Sequence, residues 1–188
     1  MNFEQSPLVI FSHGKVTGPK GSRILALSAI AKRLGYEVES LDYRRLPTNE
    51  RVNKLNNYIK DLHRPYVLVG TSMGGYVSAV AALSNNPLGA FLISPALYLD
   101  GYAEAEVEKL TCPVTVVHGW KDDIVPVENA IRFARSAGAD LHIFDGGHRL
   151  REKLTETEHC FEQFLRQCFV QAKFVAQQNS FLPEVVNH

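Results

Sequence analysis

The segment Tyr66-Val67-Leu68-Val69-Gly70-Thr71-Ser72-Met73-Gly74-Gly75 constrains this chain more than any other. An apolar run with the signature of a buried strand meets G-x-S-x-G, and a run of small residues with the signature of a helix follows at once. Ser72 therefore falls on a strand-to-helix turn too tight for ordinary side chains on either side. Gly70 and Gly74 are the positions that must lack a Cβ if strand and helix are to approach closely. Such a turn pushes the serine hydroxyl clear of the backbone and places it beside a helix N-terminus, where amide N–H groups point outward.

The rest of the chain alternates in the same way. Leu8 to Ser12 is a short apolar run. Gly21 to Leu34 carries Leu27, Ile30, Ala31 and Leu34 at helical spacing, and Gly35 stops it. Glu37 to Tyr43 reads as a half-polar strand near a sheet edge. Asn49 to Leu62 places Val52, Leu55, Ile59 and Leu62 on one helical face. Strands are expected at Tyr66 to Val69, Ala90 to Ile93, Val114 to Val117 and Leu141 to Phe144. Helices are expected from the Ser72 turn to about Leu83, over Ala103 to Leu110, and from Val127 to Ser136 before Gly138. The last helix, from about Thr155, sets Phe161, Phe164, Leu165, Cys168 and Phe169 on one face, and 180–188 reads as a frayed end. About six short apolar strands separated by helices imply an α/β fold, a mostly parallel sheet covered on both faces. One domain is expected over 1–188, with no linker, repeat or low-complexity tract.

Composition sets limits. Lys+Arg and Asp+Glu balance at 20 each, so no global charge points to nucleic acid or an anionic membrane. No apolar run approaches the roughly 20 residues of a membrane span. Met1 to Pro7 has neither the basic nor the apolar region of a signal peptide, which gives a cytoplasmic expectation. Cys112, Cys160 and Cys168 are too scattered for a disulfide framework or a zinc site, and read as reduced thiols. No cofactor and no metal are expected. Oligomeric state does not follow from the sequence.

In an open parallel sheet, chemistry gathers at the carboxyl ends of the strands. Ser12-His13-Gly14-Lys15 follows the first strand, and Ser72 the third. His118-Gly119-Trp120-Lys121-Asp122-Asp123-Ile124-Val125-Pro126 follows the fifth, and Asp145-Gly146-Gly147-His148 the sixth. A serine, an acid and a histidine thus fall on one edge in the order Ser…Asp…His. A histidine can take the serine proton while a carboxylate fixes its tautomer. For the acid, loop spacing favours Asp122 over Asp123, which reads as a capping or surface charge. Asp145 reads as a solvated or turn-bonding strand-end residue. His13 and His118 read as structural, their rings bonding nearby backbone. His63, His142, His159 and His188 read as ordinary surface or strand positions. Lys15, Lys20, Arg44, Arg45, Lys121 and Arg149 lie on the same side. They read as a solvated surface, with an anion-favouring mouth as the alternative.

On these motifs the chain resembles the α/β-hydrolase superfamily from about Leu8 to Leu165, and among its members the small lidless esterase-like proteins whose first turn reads H-G-x-x-x-G-P. The resemblance implies a catalytic triad of Ser72, Asp122 and His148. It also implies an oxyanion hole of the Lys15 and Met73 backbone N–H groups. The implied reaction is hydrolysis of a small carboxylic ester or thioester through an acyl-enzyme. A non-catalytic binding or scaffold protein of the same fold, or an amidase or peptidase using the same triad, remains the alternative. Larger members begin with two additional strands and carry a helical cap before the strand matching Val114 to Val117. Here only Ser94 to Pro113 fills the second gap, so no lid and a shallow site are expected.

Overall fold

Strand-forming runs in this chain are mostly apolar where they are central and alternate where they are not. The computed structural model describes residues 6–100, 102 and 110–179, with side chains through residue 170. In chain order its elements are β1 (Leu8–Ser12), α1 (Ser22–Arg33), β2 (Glu37–Leu41), α2 (Thr48–Lys60), β3 (Tyr66–Thr71), α3 (Met73–Ser84), β4 (Gly89–Ile93), β5 (Val114–Gly119), α4 (Val127–Ala137), β6 (Asp140–Phe144) and α5 (Leu154–Asn179), with a 3-10 turn at Arg151–Lys153. The strands form one sheet in the order β2-β1-β3-β4-β5-β6. Every neighbouring pair is parallel, so the sheet is wholly rather than mostly parallel. The inner strands β1, β4 and β5 are buried throughout, whereas edge strands β2 and β6 alternate with solvent.

The pleat sorts side chains between two cores. Leu8, Ile10, Leu68, Ala90, Leu92, Val114 and Val116 face one side and pack with Leu55 and Ile59 of α2, Val77 of α3 and Phe133 of α4. Val9, Phe11, Val67, Val69, Phe91, Ile93 and Val117 face the other and pack with Leu27 and Ile30 of α1 and with Phe161, Phe164, Leu165 and Cys168 of α5. The helical faces expected from spacing in α1, α2 and α5 are the faces that are buried. α1 ends in a Schellman motif: Gly35 takes φ +86°, its N–H reaches Lys32 O at 3.0 Å, and Tyr36 N–H reaches Ala31 O at 3.0 Å.

Two strands run further than their apolar stretches. β3 continues through Gly70 and Thr71, which stay in register with Leu92 and Ile93 of β4. β5 continues through His118 and Gly119, in register with Ile143 and Phe144 of β6. In both cases glycine is part of the ladder, and another backbone crosses it closely. The expected helix at Ala103 to Leu110 and the frayed end at 180–188 lie outside the described residues, apart from buried Leu110. All three cysteines are free, and burial pushes the Cys168 thiol pKa up to about 12. Among the described residues no helix is long and apolar enough to cross a membrane.

The chain leaves β1 for β2 on one side and returns to β3 on the other, so the sheet's switch point lies between the carboxyl ends of β1 and β3. At that crossing a Cβ on Gly70 would overlap the carbonyl of Gly74, and a Cβ on Gly74 would overlap the carbonyl of Ser12. By contrast Gly138, the left-handed cap of α4 at φ +68°, has open space around it. Gly74→Ala should therefore cost about 3 kcal/mol or more, because rigid backbone must move. Gly138→Ala should cost about 1 kcal/mol, the conformational penalty alone. Urea unfolding of both variants checks the order, and equal losses would contradict the crossing argument.

Candidate active site

Ser72 is the hinge between β3 and α3. It takes φ +53° and ψ −120°, a conformation that side chains other than glycine adopt only under constraint. The constraint is a set of backbone hydrogen bonds. Ser72 N–H donates to Ile93 O at 2.9 Å, and Ser72 O accepts N–H groups from Gly75 at 2.8 Å, Tyr76 at 3.2 Å and Ala96 at 3.0 Å. Met73 opens α3, so its N–H has no acceptor within the helix.

The loops after β5 and β6 are joined to one another. Trp120 N–H donates to Phe144 O and Lys121 N–H to Gly146 O, each at 2.9 Å. A Cβ on Gly119 would overlap the Gly146 carbonyl, so only glycine permits this closeness. Within the first loop Asp122 turns its carboxylate inward, fully shielded from solvent. Its Oδ1 accepts N–H groups from Ile124 at 3.0 Å and Val125 at 2.8 Å. His148, carried by the second loop, brings Nδ1 to 2.8 Å from Asp122 Oδ2 and Nε2 to 2.9 Å from Ser72 Oγ. Burial on its own would raise the Asp122 pKa. The bonds from His118, His148 and the Val125 and Ile124 amides outweigh it and hold the carboxyl well below the usual carboxylate range. An ionised carboxylate only accepts, so His148 Nδ1 carries a proton and Nε2 is left to accept from the serine. Such an arrangement can draw a hydroxyl proton onto the imidazole.

The serine, acid and histidine singled out from the sequence are thus brought together. Asp123 is exposed, and Asp145 pairs with Lys121 at 2.6 Å on the surface. His63, His142 and His159 are exposed, and His188 lies outside the described residues. His13 is buried and clamped: Nδ1 donates to Gly14 O at 2.7 Å and Nε2 accepts the Tyr43 N–H at 2.9 Å. Burial lowers its pKa, in keeping with this neutral form. Lys15 is exposed and Met73 buried. The turn carrying Lys15 lies against Ser72, since a Cβ on Gly14 would sit 3.6 Å from Ser72 Cβ.

The polar contacts of three side chains escaped the sequence reading. His118 bonds backbone as expected, with Nε2 2.9 Å from Val125 O, but the same nitrogen is 3.2 Å from Asp122 Oδ2. Nε2 faces two acceptors and so bears the proton. The buried, unpartnered Nδ1 is then a lone pair rather than an orphaned N–H. Arg51 is almost wholly buried and donates to Leu46 O at 3.0 Å and His13 O at 3.2 Å. Its signal was available, because Arg51, Leu55 and Ile59 recur every four residues on the buried face of α2. Arg23, on α1, reaches Thr71 Oγ1 at 3.4 Å, and only the folded chain reveals that proximity.

Beside His148 is an open hollow of about 420 Å³, lined by Asp123, Ile124, Gly147, Arg149, Leu150, Arg151 and Glu152. Among the described residues no group of three or more His, Cys, Asp or Glu side chains is gathered in a way that could hold a metal ion.

A family model described as serine hydrolase matches residues 28–163, well over half of the chain. The mitochondrial palmitoyl-protein thioesterase ABHD10 of Bos taurus is 25% identical, in an alignment covering 79% of this chain and 69% of that protein. A hydrolase of the alpha/beta superfamily from Xanthomonas campestris superposes with a TM-score of 0.76 at 25% identity, covering 87% of this chain and 99% of that one. Alpha/beta hydrolase domain-containing protein 10 from mouse superposes with a TM-score of 0.73 at 19% identity, covering 92% of each chain, a likeness of fold.

The depressed Asp122 pKa has a thermodynamic sign. As pH falls below the ordinary carboxylate value of about 4, the unfolded chain takes up this proton before the folded one does. Its contribution to stability is therefore complete above that value and is lost towards the lower folded pKa. Asp122→Asn should make the acid limb of stability shallower by up to about 1.4 kcal/mol per pH unit between about pH 2 and 4. Urea unfolding across that range checks it, and parallel limbs for the two proteins would contradict the assignment.

Proposed function

Because the chain belongs to the serine hydrolase family, we propose that it cleaves small carboxylic esters or thioesters through an acyl-enzyme formed on Ser72. The observation that carries the reading is the continuous hydrogen-bonded series Ser72 Oγ, His148 Nε2, His148 Nδ1, Asp122 Oδ2, with separations of 2.9 Å and 2.8 Å. Ser72 Oγ attacks the carbonyl carbon as His148 takes its proton, and buried Asp122 supports the imidazolium. The Met73 and Lys15 amides receive the charge that develops on the carbonyl oxygen. The imidazolium returns its proton to the departing alcohol or thiol. Water then repeats the sequence and releases the acid.

A scaffold role gives no reason for a strained serine aimed at a histidine whose other nitrogen is bound to a shielded carboxylate. The thioester reading, already implied by the resemblance, is supported by mammalian relatives that are thioesterases by name. Ser72→Ala should lower turnover of 4-nitrophenyl acetate by about 10⁴-fold or more while leaving the fold intact. Asp122→Asn should lower it by about 10²–10⁴-fold, and Asp123→Asn by less than about twofold. Steady-state kinetics of purified variants checks the set. Retained activity in Ser72→Ala, or a larger loss for Asp123 than for Asp122, would overturn the assignment.

Acyl length is the second part of the proposal. Only Ser94 to Pro113 separates β4 from β5, and the hollow beside His148 is open to solvent. So short a connection is expected to leave no enclosing tunnel, and added methylenes would then gain little of the roughly 0.8 kcal/mol each that burial provides. On soluble 4-nitrophenyl esters, kcat/KM should be highest for short acyl chains, with no jump as substrate passes from monomers to droplets. A steep rise towards long chains, or interfacial activation, would contradict an open site.

A further inference from the structure

Some of the charged side chains near the sheet's carboxyl edge have partners. Arg44 pairs with Asp42, Lys121 with Asp145 and Lys153 with Glu156. Buried Arg51 donates to backbone carbonyls. Arg23 differs from all of these. It is half-buried, and among the described residues no carboxylate lies within ion-pair distance of its guanidinium. Its one hydrogen bond among them is the long contact with Thr71 Oγ1, at 3.4 Å. A guanidinium has five donors in a fixed fork, so nearly all of its capacity is unused. Burial lowers the pKa of this side chain, and no neighbouring charge offsets that cost. Its place in the fold adds a second cost. Arg23 is in the first turn of α1, where the helix dipole disfavours a cation, and that turn contains no acidic residue.

The location gives these costs a use. Thr71 immediately precedes Ser72, and its carbonyl faces the turn after β1, where a Cβ on Gly14 would lie 3.6 Å away. Arg23 therefore lies against the residue that precedes Ser72, at the carboxyl end of β3. Lys15 and Lys20, exposed in the loop before α1, add charge of the same sign. A planar fork of this kind accepts a carboxylate or phosphate through paired hydrogen bonds.

We propose that Arg23 is a specificity-determining residue that binds an anionic group of the substrate, so that the preferred ester or thioester carries a carboxylate or phosphate. The inference rests on the reading of Ser72 as nucleophile. The anion could sit on the acyl part or on the leaving group, and matched substrate pairs distinguish the two. On the acyl side, 4-nitrophenyl hydrogen glutarate is compared with 4-nitrophenyl valerate. On the leaving-group side, butyryl-coenzyme A is compared with butyryl-N-acetylcysteamine.

The readout is the ratio of kcat/KM for the anionic over the neutral member, which a general loosening of the site would not move. Wild type should prefer the anionic member in at least one pair. Arg23→Gln should lower that ratio about tenfold or more, and Arg23→Lys should keep most of it. Ratios that stay within about twofold in both pairs for Arg23→Gln would overturn the proposal, as would a wild type with no anionic preference. Failure of wild type to turn over all four compounds would instead overturn the hydrolase reading. Calorimetric titration of glutarate and coenzyme A into wild type and Arg23→Gln then decides the role of Arg23, with equal affinities overturning it.

Discussion

Everything at the functional end of this molecule depends on how closely three backbones cross beneath Ser72. Gly70 and Gly74 let β3 and α3 meet, and Gly74 also lets the carbonyl of Ser12 at the end of β1 press against the helix. This contact leaves the chain no ordinary conformation at the intervening residue. Ser72 is held at positive φ by four backbone hydrogen bonds, from β4, from the first turn of α3 and from Ala96. The strain there is offset by well-formed structure on every side. The same crossing fixes the position of the turn after β1 relative to the serine.

Around that crossing the polar groups are held in place rather than merely exposed. His13 bridges Gly14 and Tyr43 through its two nitrogens, and Arg51 reaches over from α2 to the carbonyl of His13. The turn that includes Lys15 is thus tied to the segment after β2 and to α2. On the other side, the loops after β5 and β6 exchange backbone hydrogen bonds, and His118 and two amides orient Asp122 before His148 reaches it. A preorganised polar environment of this kind needs little rearrangement when charge develops, which is the condition electrostatic stabilisation requires. The proposed role of Arg23 extends the same logic to the substrate: a cation with no carboxylate within ion-pair distance among the described residues.

How much of this could be read beforehand varied with the range of the interaction. The glycines at 70 and 74 were legible because G-x-S-x-G, between an apolar run and a small-residue run, has a local steric reason. The buried helical faces were legible because spacing of three and four repeats within one segment. Strand ends were less so: Gly70, Thr71 and Gly119 look like terminators, yet each remains in the ladder because a neighbouring strand continues beside it. The contacts of Arg51 with the His13 turn, of His118 with Asp122 and of Arg23 with Thr71 join segments far apart or on opposite sides of a turn. Periodicity marks the Arg51 face of α2 as buried but encodes none of these partners. Arg23 sits four residues before buried Leu27, but nothing in that spacing names Thr71 as its partner.

The central claim is that Ser72 is a nucleophile activated by His148. The most direct measurement is the rate of covalent labelling by a fluorophosphonate, located by mass spectrometry of the peptide containing Ser72. The account predicts a single adduct on Ser72 in the folded protein, with labelling slowed about 100-fold or more in His148→Ala, because an unassisted serine hydroxyl is a poor nucleophile. No adduct at Ser72, or equal labelling rates with and without His148, would contradict it.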